Sequence, residues 1–380
     1  MPSTLAARIA AFATAFAFCV IVFGAFVRLS DAGLSCPDWP TCYGKATWPG
    51  HEHDIAQANA AFPDRPVETH KAWREQVHRM IAGTLGVLVF ALALVAVRHR
   101  RALVLGLLLA AAAAAAGVAC YMKHAYVPSS ALSLLAIAVP LAIAVQLDRA
   151  APWRAAVAAF AVVIFQAMLG MWTVTLLLKP AVVMGHLLGG LLTFALLGYV
   201  ALRLRGGRAP SPAQARLRPV VVVALALLGA QIALGGWTSA NYAALACGVD
   251  FPQCSGSWWP QPDFREAFVL WRGVGVNYEG GVLDIAARMA IQITHRLGAL
   301  VVFVYGLATA ALAWRRGLRA LGALVAVLLC AQVALGVANV KLLLPLPVAT
   351  AHNGVAALLL LALLALLVRV QRPDAAPWRP

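Results

Sequence analysis

Ten runs of apolar residues, each long enough to cross a bilayer as a helix, divide this chain: about 9–27, 78–97, 102–120, 130–147, 155–177, 182–202, 220–239, 286–312, 320–340 and 348–368. Lipid offers no partner to a backbone N–H or C=O, so a lone run must satisfy those groups internally, and the α-helix does this within one segment. A chain that is 62% hydrophobic and 12% charged, with a mean hydropathy of +0.83, excludes a water-soluble core as the main architecture. The expected fold class is an all-α polytopic membrane protein with about ten transmembrane helices.

The net charge of +16 does not point to nucleic acid, because the basic residues gather in short turns between apolar runs. These turns are Arg98–Arg101, Arg149–Arg154, Arg203–Arg218, Arg315–Arg319 and the tail Arg369–Arg379. All fall on one side if both termini are cytoplasmic, which predicts a multi-pass protein of a bacterial cytoplasmic membrane. The apolar run after Arg8 is followed by no small-residue cleavage site and reads as an uncleaved first helix. This topology puts two long loops, Arg28–Arg74 and Asn241–Asp284, outside. Each carries one close cysteine pair, Cys36 with Cys42 and Cys247 with Cys254, where disulfides are permitted. Structural disulfides are the default for them, and a thiol relay to an external redox partner is the alternative. Cys19, Cys120 and Cys330 lie in apolar runs.

An internal repeat emerges when the two halves are overlaid. Cys36 and Cys247 are 211 residues apart, as are Trp48 and Trp259, while His78 and His295 are 217 apart. Farther on, Gln166 and Gln332, Gly170 and Gly336, and His186 and His352 are each 166 apart. The drop in offset requires about 51 residues in the first half without a counterpart, enough for one antiparallel helix pair. The chain therefore divides into an N-terminal four-helix unit at 1–205, with an inserted hairpin at about 101–150, and a C-terminal four-helix unit at 219–370. With no histidine in its two runs, the hairpin is expected to be peripheral.

Four histidines occupy matched positions, His78 and His186 in the first unit and His295 and His352 in the second, each read as opening a helix at its outer end. A lone intramembrane histidine is often only a polar group satisfied by a neighbouring helix. A pair at matched depth in each of two units favours ligation of one haem iron from both sides. Zinc is the competing metal, but a tetrahedral site wants further Cys, His or carboxylate ligands, of which the helices supply few. Arg79 and Arg296, one residue beyond their histidines, suit either haem propionates or interfacial anchoring. Glu75 stands three residues before His78, whereas its counterpart is Gln292. An amide accepts no proton at working pH, so only the first unit holds a candidate general base. The structural alternative for Glu75 is capping or an ion pair with Arg74 or Arg79.

Together the Val27–Ser30 segment leading to Cys42, the Glu-x-x-His-Arg helix start, the Gln166–His186 block and their second-half counterparts resemble the haem A synthase family. The likeness covers the chain except for about 101–150, where the hairpin departs from the family's eight-helix pattern. The resemblance implies oxidation of the C8 methyl group of haem O to a formyl group, giving haem A for terminal oxidases. It places haem b on His295 and His352 and the substrate haem O on His78 and His186. Water activated by Glu75 is then the oxygen source, and two rounds give a geminal diol that dehydrates to the aldehyde. The implied partners are a haem O synthase as donor, an electron acceptor of unspecified kind, membrane lipid and no nucleic acid, with room for a homo-oligomer. A di-haem b transmembrane electron carrier, such as a quinol oxidoreductase, is the other reading. It fits less well because all four histidines are expected near one face.

Overall fold

A computed structural model describes residues 4–148 and 151–371, which fold into helices and connecting loops. The basic positions Arg149, Arg372 and Arg379 lie outside the described residues. The helices are α1 (Thr4–Leu29), α2 (Glu52–Ala61), α3 (Thr69–Val97), α4 (Arg101–Met122), α5 (Tyr126–Gln146), α6 (Pro152–Thr175) and α7 (Pro180–Arg205). They continue as α8 (Pro212–Ala215), α9 (Arg218–Ala240), α10 (Phe264–Ala267), α11 (Ile285–Arg315), α12 (Arg319–Lys341) and α13 (Leu346–Val370). Among the described residues ten helices are long and apolar enough to span a bilayer. The chain is thus an all-α polytopic membrane protein.

Among the described residues two compact units are present, one built from 4–174 and 189–207, the other from 175–188 and 208–371. The Thr175–Leu188 segment that carries His186 thus groups with the second, although the sequence repeat puts it in the N-terminal half. In the first unit α1 packs on α3. The α1 side that is lost to solvent carries Ala6, Ala10, Ala13 and Ala17, spaced by four, three and four residues as one helical stripe. Small side chains matter there because lipid tails are as apolar as leucine. Close van der Waals approach then takes over from the hydrophobic drive as the force that joins membrane helices. Large apolar residues such as Val87, Leu109 and Val127 point outward instead, as a lipid-facing surface requires.

The inserted segment forms the tight pair α4 and α5. Ser129 donates its hydroxyl to the Gly117 carbonyl across the pair at 2.8 Å, a bond of more use in lipid than in water. The hairpin also reaches the first long loop. Tyr121 meets the ring of Trp39 edge-on at 5.8 Å, and Tyr121 in turn meets Tyr126. The aromatic content of the turn carried this signal, but periodicity says nothing about which loop such rings will touch.

In the second unit α9, α11, α12 and α13 enclose an apolar core of Leu228, Val325, Leu329, Leu359 and Leu363. Asp284 caps α11 by accepting from the Ala287 N–H at 2.8 Å. α11 and α12 meet backbone to backbone at Gly322, where an added Cβ would lie 2.7 Å from the Ala310 carbonyl oxygen and 3.1 Å from the Trp314 nitrogen. Because both neighbours are backbone, neither can swing aside.

Helix starts differ from the apolar runs that announced them. His78 and His295 sit about two and a half turns inside α3 and α11, and His186 and His352 nearly two turns inside α7 and α13, rather than at first turns. The polar segment Thr69–Gln76 continues the helix beyond the apolar stretch, so hydropathy marked where lipid begins and not where hydrogen bonding begins. Gly322→Val is expected to lower stability by about 1–3 kcal/mol through overpacking. Gly229→Val, where a Cβ meets open space, serves as control. Thermal unfolding of the purified protein in detergent checks it, and equal melting temperatures for the two variants would contradict the packing described.

Candidate functional site

The two long loops are built alike. Cys36 and Cys42 form one disulfide and Cys247 and Cys254 the other, and all four are buried. Each closes a turn in which the second cysteine pairs with a residue three positions on: Cys42 N–H donates to Lys45 O at 2.9 Å, and Cys254 N–H to Ser257 O at 2.8 Å. Each turn has two consecutive left-handed positions, Tyr43 at φ 54° then Gly44 at φ 74°, and Ser255 at φ 52° then Gly256 at φ 76°, with glycine at the second of each. A carboxylate organises both turns. Asp38 accepts from the Tyr43 N–H at 2.6 Å and the Gly44 N–H at 2.8 Å, and Asp250 accepts from the Gly256 N–H at 2.8 Å. These aspartates were missed as structural residues by sequence reading, although their separation of 212 matches that of Cys42 and Cys254. Lys45 adds an ion pair to Asp54 on α2, and its hydrogen bond holds the Asp54 carboxyl below its ordinary range.

Below each loop stands the arginine that follows the histidine. Arg79 donates from Nη1 to Asp38 O at 2.8 Å and Thr41 O at 2.6 Å, and from Nη2 to Cys36 O at 3.4 Å and Glu75 Oε1 at 2.6 Å. Arg296 likewise grips its loop, donating from Nη1 to Gln253 O at 2.7 Å and Pro252 O at 3.4 Å. There the likeness stops. Among the described residues Nε and Nη2 of Arg296 are buried without a hydrogen-bond partner, and so is Gln292 Oε1.

Glu75 is 5% exposed and both its oxygens are engaged. Besides the Arg79 ion pair, Oε2 accepts from the Cys36 N–H at 2.9 Å and lies 3.1 Å from Ser35 Oγ. Of the two ion pairs considered for it, the one with Arg79 is realised. Ser35 has a single hydroxyl hydrogen and a second acceptor, Ala32 O at 2.7 Å, so it can release Oε2 without breaking its own hydrogen bonding. That leaves the carboxylate with an oxygen able to accept a proton while its partner oxygen stays paired.

Glycines of neighbouring helices lie close against three of the histidine rings. A Cβ placed at Gly24 would lie 2.7 Å from His78 Cε1, one at Gly235 would lie 3.2 Å from His295 Cε1, and one at Gly336 would lie 3.2 Å from His352 Cε1. Gly24 and Gly235 are themselves repeat mates, 211 residues apart. In the second unit, glutamines hold the rings. Gln231 Nε2 donates to the His295 carbonyl at 2.9 Å and lies 3.0 Å from its Nδ1, while Gln332 Nε2 lies 3.2 Å from His352 Nε2. An amide nitrogen only donates, so Nδ1 of His295 accepts in this contact and Nε2 carries the ring proton; a metal at Nε2 would require the proton at Nδ1 and the Gln231 carboxamide turned to offer Oε1. The position equivalent to Gln231 is Val20, so this support is peculiar to the second unit.

Among the described residues no group of three or more His, Cys, Asp or Glu could hold a metal ion, so the donor set for tetrahedral zinc is absent there. What fits the second unit is a planar group ligated by two imidazoles. Both rings lie against small backbone surfaces, and two unpartnered guanidinium nitrogens stand one residue from His295.

Comparison with known proteins gives the following. Residues 7–364 match the model of the COX15-CtaA family, described as cytochrome oxidase assembly protein. A protein named Heme A synthase from Shewanella oneidensis is 40% identical over 354 residues, which is 92% of this chain and 91% of that protein. Proteins of the same name from Caulobacter vibrioides and Rhizorhabdus wittichii are 27% and 26% identical. The first alignment covers 94% of both chains, the second 91% of this chain and 88% of the relative.

The disulfides make a simple expectation. Unfolded, unreduced protein isolated under thiol-blocking conditions should take up alkylating agent at three cysteines only, Cys19, Cys120 and Cys330, and at all seven after reduction. Intact-mass spectrometry counts the adducts, and five or more before reduction would contradict the loops as described.

Proposed function

The chain belongs to the COX15-CtaA family of cytochrome oxidase assembly proteins, and on that footing we propose that it is a haem A synthase. In this reading it oxidises the C8 methyl group of haem O to a formyl group in a bacterial cytoplasmic membrane, with both termini inside and the two disulfide loops outside. The observation that carries the proposal is the divergence of two otherwise matched sites. Where the first unit has Glu75 paired to Arg79, the second has Gln292 beside an Arg296 with unpartnered nitrogens.

His295 and His352 are assigned to haem b, which supplies a one-electron acceptor when bound. Arg296, with donors to spare, is assigned to a propionate of that group. Arg79, committed to the Cys36–Cys42 loop, is assigned to holding the loop and Glu75. His78 and His186 are assigned to the substrate haem O, an assignment resting on the sequence repeat. A division of roles follows: chemistry belongs to the N-terminal repeat and electron transfer to the C-terminal one, and the hairpin braces the first loop through Tyr121.

Each round of oxidation adds water oxygen to the methyl carbon and removes two electrons and two protons. Glu75 takes a proton from that water through Oε2 when Ser35 turns its hydroxyl to Ala32 O, while Arg79 keeps Oε1 in place. Gln292 can accept hydrogen bonds in the same place but no proton, which suits a site that only passes electrons. Haem O is delivered by a haem O synthase, and the final electron acceptor is a separate partner.

Glu75→Gln gives the first unit the residue the second already has, so hydrogen bonding should largely survive while proton acceptance is lost. Haem A made by membranes carrying this variant should fall by about 10²-fold or more, with haem O or a partly oxidised derivative accumulating and haem b content near normal. Extraction and chromatography of the porphyrins measures all of these. Haem A at the normal rate would make the carboxylate purely structural.

A further inference from the structure

The turn that leads into α7 has an exact parallel before α13. Leu177 and Leu178 take left-handed φ of 50° and 60°, and Leu343 and Leu344 take 58° and 61°, so each chain reverses on a pair of leucines and then enters its histidine-bearing helix. The next position differs. It is Pro345 in one copy and Lys179 in the other, 166 residues apart like the histidines.

Lys179 is 1% exposed, and its Nζ has no hydrogen-bond partner among the described residues. Its one described neighbour of note is the ring of Trp271, 3.3 Å from Nζ to the centroid. The segment bearing Trp271 is fastened over the turn, since the Tyr278 N–H donates to Leu177 O at 3.1 Å and the Tyr278 hydroxyl donates to Gly273 O at 3.0 Å. A cation–π contact offsets only part of the desolvation of an ammonium group, so a lysine kept here is poised for an anion. The helix adds to this. Lys179 closes the first turn of α7, its carbonyl accepting from the Val182 and Val183 N–H groups, so Nζ works at the positive end of a 26-residue helix.

Seven residues separate Lys179 from His186, which puts both on one face of α7 with a rise of about 10 Å. That is comparable to the span from the centre of a haem to its carboxylates. We propose that Lys179, backed by Trp271 and the α7 N-terminus, is a carboxylate-binding site that holds a propionate of the substrate haem. The proposal rests on the assignment of His186 to that substrate. The α13 copy, with Pro345, has no such residue, and the resident group on His352 is held without it. The same chemistry could be met by a lipid phosphate, and the test separates the two.

The experiment uses full-length purified protein in phosphatidylcholine nanodiscs, titrated with haem O and with its propionate dimethyl ester while the Soret band is followed. Wild-type protein should bind the free acid at least 10-fold more tightly than the ester. Lys179→Met should lose most of that preference by weakening the acid alone, and Lys179→Arg should restore it. An unchanged preference in Lys179→Met, or equal binding of acid and ester by wild type, overturns the proposal. Failure of the underlying assignment reads differently: His186→Ala would then bind the acid as wild type does, with an unaltered Soret band. A lipid phosphate as the occupant would appear as phosphatidylglycerol retained through purification by wild type and lost by Lys179→Met, with no change in the acid preference, which also overturns the propionate assignment.

Discussion

The buried pair of Glu75 and Arg79 is the contact on which the first unit depends. A carboxylate and a guanidinium one helical turn apart on α3 are both removed from water, and each carries hydrogen bonds into the Cys36–Cys42 loop. Burying an ion pair is stabilising only where its remaining donors and acceptors are met, and here the loop backbone meets them. Removing either partner strands the other, so the loop, the carboxylate and the backbone around His78 hold their places together. The disulfide adds covalent closure to a loop that the arginine already holds by three carbonyls.

The second unit shows what the same frame does without that pair. Arg296 still holds its loop through Gln253 and Pro252, but Gln292 offers no charge, and two guanidinium nitrogens go without hydrogen bonds. In exchange Gln231, absent from the first unit, fixes His295. On the proposed assignment, one copy holds a group that can move a proton and the other holds one that orients a ligand. The lysine at the head of α7, matched by a proline at the head of α13, continues the pattern: positions where the copies differ are those where chemistry and ligation make different demands.

Much of this was legible in the sequence because lipid narrows the choices. A run of apolar residues in a bilayer has one open structure, so the ten spans and the all-helical class could be read from hydropathy, and a fixed offset exposed the repeat. Side chains of polar character inside such runs stand out, which is why Glu75 and the four histidines could be found. The rest concerned direction. Nothing in spacing says that Arg79 turns up into a loop rather than toward a ligand, that Asp38 and Asp250 cap the cysteine turns, or that Lys179 is buried rather than exposed beside a proline. Helix starts were misjudged for a related reason, since polar residues such as Thr69–Gln76 extend a helix beyond the lipid without any change of backbone.

The central claim is a division of labour between the two histidine pairs, with a resident haem on one and the substrate on the other. Mass spectrometry of the porphyrins bound to purified His295→Ala and His78→Ala proteins tests it most directly. The account predicts opposite losses: haem b missing and haem O retained in His295→Ala, and haem b retained with haem O and haem A missing in His78→Ala. Loss of the same porphyrins from both variants, or the reverse pattern, would contradict it.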